Sequence, residues 1–169
     1  IDRDFCGQLE KEFPVGGPRP HEYEHTLETQ IPFLKCALGD VPVVPILLGM
    51  HAGKQHEALG ARLAVLLDPS DIVIASTDLS HFLDEKSANI IDRNTIGKIL
   101  AGDIDTLIQE LNQERVSMCG AAAVITALAC ASARNADSRK LLDYRTSGAV
   151  SGDYRRVVGY AAITMECDS

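Results

Sequence analysis

The stretch Asp71-Ile72-Val73-Ile74-Ala75-Ser76-Thr77-Asp78-Leu79-Ser80-His81 decides how this chain is read, because a short apolar run ends in hydroxyls, a carboxylate and an imidazole. Ile72 to Ala75 has the composition of a strand covered on both faces, and such strands belong to largely parallel sheets flanked by helices. In open α/β sheets ligands bind beyond the carboxyl ends of the strands, which is where Thr77, Asp78, Ser80 and His81 fall. His81 follows Asp78 by three residues, so in a tight turn the carboxylate fixes the imidazole tautomer and makes it a good base or metal ligand. The competing reading has Asp78 capping a turn or the next helix, with His81 half-exposed. Thr77 and Ser80 read as turn-forming hydroxyls rather than nucleophiles, since no Gly-x-Ser-x-Gly elbow surrounds them.

Working upstream, Lys54 to Leu67 is amphipathic, with Leu59, Leu63, Leu66 and Leu67 on one face. Before it, Val41 to Leu48 reads as a buried strand, at an edge or bulged because of Pro42 and Pro45. A strand–helix–strand unit of this kind implies a parallel pair. Thr26 to Leu38 reads as a helix interrupted by Pro32. The first helix is capped by Asp2 or Asp4, carries Phe5, Leu9 and Phe13 at helical spacing, and ends at Pro14 with Gly16-Gly17-Pro18.

Working downstream, Glu85 to Leu100 and Ile104 to Leu111 read as helices separated by Ala101-Gly102-Asp103, with Asp103 as cap. Gly120 to Ala133 is apolar nearly all round and reads as a helix buried on the sheet. Cys119 precedes it, where helix N–H groups stabilise a thiolate and Gly120 lets another segment approach. Leu141 to Arg145 and Arg156 to Met165 close the chain as antiparallel strands. The expected fold is three-layer α/β/α with a mixed, largely parallel sheet, as one domain over residues 1–169.

Composition narrows the function classes. A net charge of −8 with sixteen scattered Lys and Arg argues against nucleic acid or an anionic membrane as partner. No apolar stretch approaches a membrane span and no signal-peptide pattern is present, so the sequence reads as soluble and cytoplasmic. The five cysteines are odd in number and form no Cys-x-x-Cys pair, which speaks against a disulfide framework or zinc ribbon. Cys6, Cys36 and Cys130 read as small buried hydrophobes.

Three further sets of residues bear on chemistry. His21-Glu22-Tyr23-Glu24-His25 matches H-E-x-x-H, the zinc-peptidase helix, yet Pro18, Pro20 and Pro32 crowd a segment that such chemistry needs as one long apolar helix. His51 and His56 flank the Lys54 helix and read as surface or cap residues, with His51 alternatively bordering the His81 crevice. A catalytic metal needs about three protein ligands, and His81, Cys119 and either Asp78 or His25 are the candidates.

With those residues quoted, the chain resembles the Memo-like family, also known as protein B of the AmmeMemoRadiSam system. The resemblance is carried by Glu24-His25-Thr26-Leu27-Glu28-Thr29-Gln30-Ile31-Pro32-Phe33-Leu34, by Ala75-Ser76-Thr77-Asp78-Leu79-Ser80-His81-Phe82, by Cys119-Gly120, and by Val150-Ser151-Gly152-Asp153 through Val157-Val158-Gly159-Tyr160. It implies a fold similar to class III extradiol dioxygenases, whose non-haem iron is held by two His and a carboxylate. Cys119 would stand in the carboxylate's place, and His81 in that of the acid/base histidine, with Asp78 and His25 nearby. The family's early His-Ala-Gly-Tyr and Gly-Pro-x-His loops, which supply two histidine ligands, are absent, and His51-Ala52-Gly53 follows the wrong strand to replace the first. The chain is therefore expected to be the C-terminal portion of a longer Memo-like domain, exposing an apolar sheet edge and tending to associate as a homo-oligomer.

Two function classes follow. One is a metal-dependent, dioxygenase-like oxidoreductase of unknown substrate, with iron or copper, or zinc, held through Cys119 and with His81 as ligand or proton carrier. The other is a non-enzymatic protein that binds a small molecule or peptide in the same crevice. A soft Cys ligand argues for copper over iron.

Overall fold

Asp2 opens the first helix as its sequence indicates: its carboxylate accepts the Phe5 N–H at 2.9 Å, and helix α1 runs Arg3–Glu10. The structure is a computed structural model that describes residues 1–13, 16–17, 19–49 and 51–167, with His21 described through its backbone only. Pro14 and Pro18, expected to end α1, and Met50, next to His51, lie outside the described residues. The chain divides into two units, Ile1–Leu48 and Gly49–Ser169.

In the first unit a 3₁₀ turn, Arg19–Glu22, precedes helix α2, Thr26–Leu38, which keeps Pro32 inside it. No residue of α2 is buried, and Ile31, Phe33 and Leu38 are exposed. Residues 41–48 form no strand, contrary to the sequence reading. Their one described backbone bond to α1's entry, Asp2 N–H to the Val43 carbonyl at 3.0 Å, anchors a coil rather than a ladder.

The second unit holds the core. Its helices are α3 (Lys54–Leu66), α4 (Glu85–Ala101), α5 (Ile104–Asn112), α6 (Ala121–Ala133) and the one-turn α7 (Gly148–Ser151). Asp84 and Asp103 cap α4 and α5 by accepting the Ser87 and Thr106 N–H groups at 3.1 and 3.0 Å. His56 takes the cap role assigned to it, its Nδ1 accepting the Gly53 N–H at 3.1 Å. Nine of the residues of α6 are buried, including Ile125, Leu128 and Cys130, so an all-round apolar helix becomes the centre of the unit. Leu79, Ile96, Ile99, Leu107, Val116 and Met118 pack with it.

The strands are β1 (His81–Leu83), β2 (Ser138–Thr146) and β3 (Val157–Glu166), arranged β1-β3-β2 with every pairing antiparallel. The antiparallel end of the chain is as expected, whereas the largely parallel three-layer arrangement is not formed by these residues. Residues 71–77, the expected central strand, carry no strand, because an apolar run becomes one only when a neighbouring edge completes its ladder. Ile72 and Ile74 are accordingly 66% and 51% exposed. Burial also corrects the cysteines: Cys130 is buried, and that burial pushes its thiol up, but Cys6 is only half-buried and Cys36 is exposed.

Candidate functional site

Two segments separated by some forty residues are stapled together at the start of α6. Cys119 donates its backbone N–H to the Asp78 carbonyl at 3.1 Å, and the Asp78 N–H returns a bond to the Cys119 Sγ at 3.2 Å. Thr77 completes the staple: its Oγ1 accepts the Gly120 N–H at 2.8 Å and donates to the Asp78 carbonyl at 2.8 Å. Thr77 is thus a structural hydroxyl, as read, but one that ties two chain segments rather than closing a local turn.

Gly120 is required by this approach. A Cβ there would lie 2.4 Å from the Ser76 carbonyl oxygen and 2.7 Å from the Thr77 Cβ, both far inside contact distance. The thiol of Cys119 therefore sits at the N-terminal end of a 13-residue helix, exposed, with an N–H donor aimed at its sulfur.

His81 lies next along the same segment, its Nε2 3.3 Å from the Asp78 Oδ2, with both side chains roughly one-third to two-fifths exposed. The contact the three-residue spacing predicts is present. An unusual backbone follows it: Phe82 has φ 61°, a left-handed conformation that costs an aromatic residue energy, and the β1–β3 register slips between His81 and Leu83. The bulge leaves Phe82 exposed with the Arg156 guanidinium 5.1 Å from its ring centroid, and its ring edge-on to His81. Strained residues of this kind cluster at functional sites.

Tyr160, absent from the candidates read in the sequence, belongs here. Burial pushes its phenol up, and the Asp78 carboxylate pushes it further. Alternation along β3 was the available signal, since Tyr160 neighbours Gly159, whose backbone bonds Leu79 and Ser80. Asp92 was also missed, although it falls on the α4 stripe of Ala88, Thr95, Ile96 and Ile99 that periodicity marks as buried.

His25 belongs to the first unit, where its Nδ1 meets Glu28 Oε2 at 3.1 Å at an exposed surface. It is the N-cap position of α2, but the capping oxygen comes from Glu24, which accepts the His25 and Thr26 N–H groups at 2.9 Å and the Thr26 hydroxyl. Those bonds, the hydroxyl's first, hold the Glu24 carboxyl below its usual range. Glu22 ends the 3₁₀ turn and Thr26 begins α2, so the H-E-x-x-H residues do not share one helix as a zinc peptidase requires.

The chain matches a known family model, Memo-like protein, over residues 1–164. The chain belongs to the Memo-like family. It is 36% identical to a MEMO1 family protein of Methanopyrus kandleri across 98% of its own length and 60% of that relative. A MEMO1 family protein of Methanosarcina mazei is 40% identical over 86% of the chain and 56% of the relative, and one of Thermotoga maritima is 39% identical over 86% and 52%. The chain thus spans a little over half the length of the curated Memo-like relatives it matches. Among the described residues no helix is long and apolar enough to cross a membrane.

Proposed function

We propose that the Cys119–Asp78–His81 cluster is the reactive centre of a metal-dependent, dioxygenase-like oxidoreductase. The observation that carries this reading is the convergence of a thiol and a carboxylate–imidazole pair on one backbone unit: Asp78 binds the Cys119 sulfur through its N–H and meets His81 through its side chain.

The donor chemistry suits a soft or borderline metal, copper before iron, with zinc as a third choice. The donors on this chain nonetheless fall short of a complete site: among the described residues no three His, Cys, Asp or Glu side chains group closely enough to hold an ion. Further ligands would have to come from beyond these residues, and no step is routed through the metal. What the chain's own residues supply is proton handling. Nε2 of His81 faces the Asp78 carboxylate, and an imidazole so placed can exchange protons through its other nitrogen. Asp78 orients the ring, and Cys119 offers its exposed sulfur as a donor.

Elemental analysis of the 169-residue chain after exposure to Cu, Fe(II) or Zn tests the assignment. Cys119→Ala is expected to reduce metal retention at least several-fold, and His81→Ala to leave it near the parent value. Equal retention by all three proteins would overturn the site.

A second reading, a non-enzymatic ligand-binding protein, has its own supporting observation. A groove of about 670 Å³ is lined by residues 72–75, by Val124 and Ala127 of α6, and by Ala161, Ile163 and Met165 of β3. Its apolar walls suit a small apolar ligand or an extended peptide.

A further inference from the structure

Asp92 is fully buried, at 0% exposure, on α4. A carboxylate there needs donors, and two meet it: the Ser80 N–H reaches Oδ1 at 2.9 Å and the Tyr144 hydroxyl reaches Oδ2 at 2.8 Å. The third neighbour is Gly159, where a Cβ would lie 1.9 Å from Oδ2. Gly159 holds the same segment from the other side, accepting the Leu79 N–H at 2.9 Å and donating to the Ser80 carbonyl at 3.0 Å. Both peptide planes flanking Ser80 are therefore fixed, one by α4 and one by β3, with β2 supplying Tyr144. Arg93 and Glu85, also on α4, are the charged groups that act on the Tyr144 hydroxyl besides Asp92.

We propose that Asp92 is a positioning residue: by gripping the Ser80 N–H it sets the direction in which the backbone delivers His81 to Asp78. This rests on the reading of His81 and Asp78 as a proton-transfer pair. The next peptide after the gripped one carries His81, and two residues separate it from Asp78, so a rotation at Ser80 is transmitted to both sides of a 3.3 Å contact. His81 pairs with Val158 in the β1–β3 ladder and the register slips directly after it, so the grip on Ser80 secures the imidazole on the regular side of an irregular ladder.

The experiment is ¹⁵N–¹H NMR of the full chain at one pH, reading the Ser80 amide proton and the His81 ring resonances in Asp92→Asn, Asp92→Ala, Tyr144→Phe and Asp78→Asn. The Ser80 amide proton should move upfield as its acceptor weakens, least in Tyr144→Phe and Asp92→Asn and most in Asp92→Ala, and the His81 ring should move with it toward the Asp78→Asn spectrum. A folded variant that shifts the Ser80 amide while His81 keeps the parent ring signature would overturn the proposal. The two conservative variants retain an acceptor for Ser80 and keep the test available if Asp92→Ala does not fold. An Asp78→Asn spectrum with an unchanged His81 ring would instead refute the proton-transfer pair itself.

Discussion

The segment from Asp71 to Leu83 is apolar in its first half and rich in hydroxyl and titratable side chains in its second, and the two halves differ as much in structure. Residues 71–75 carry no strand, and Ile72 and Ile74 are exposed. Residues 77–83 are bound at successive N–H groups: Asp78 to the Cys119 sulfur, Leu79 to Gly159, Ser80 to Asp92. Apolar content points the other way, since the more apolar half is the one without a ladder. What chose was whether another element presented an acceptor, and the chemistry collects in the half where three did.

The largest effect on this contrast is expected from Ile125→Ala. Ile125 is fully buried on α6, the helix that carries Cys119 at its start, and removing its side chain leaves a cavity that costs about 2–5 kcal/mol. Urea denaturation should report that loss at an unchanged slope. A loss under about 0.5 kcal/mol would mean that α6 is not the platform of the bound half.

Gly120→Ala is next. The added Cβ meets the Ser76 carbonyl, so Thr77 and Cys119 must part, at a cost of about 1–3 kcal/mol for overpacking. Because the Gly120 N–H to Thr77 Oγ1 bond closes the staple, the same variant should change the alkylation rate of Cys119, measured by mass spectrometry against Cys36 as an exposed internal standard. Lost stability with an unchanged Cys119 rate would separate the staple from the thiol's environment.

What was legible in the sequence follows from the range of the interactions involved. Asp2 and Asp103 announced their helices because a cap bonds three residues away, and α6 announced its burial because nothing on its surface needs water. The Asp78–His81 contact was legible for the same reason. The parallel sheet was misread because Val41 to Leu48 and Ile72 to Ala75 look like strands individually, while a strand is a property of a pair. Asp92 was not singled out because one of its donors, Tyr144, lies 52 residues downstream. Phe82 gave no sign at all: left-handed backbone is foreseen at Gly or Asn, not at an aromatic residue.

The smallest expected effect is the sharpest test of the unbound half. Ile72→Thr keeps the β-branched shape and replaces the apolar ethyl branch with a hydroxyl at a position 66% exposed, so stability should change by no more than about 0.5 kcal/mol. The measurement is made at two protein concentrations about a hundredfold apart. If a second copy covered residues 72–74 in solution, burial there would be linked to association, and the cost of the substitution would grow with concentration. A cost near zero at both concentrations leaves the face uncovered and keeps the contrast as the structure draws it, with the segment held from Thr77 onward and open before it. A cost of 1 kcal/mol or more at both concentrations would place Ile72 inside the unit's own core, and the two halves would then differ in hydrogen bonding alone.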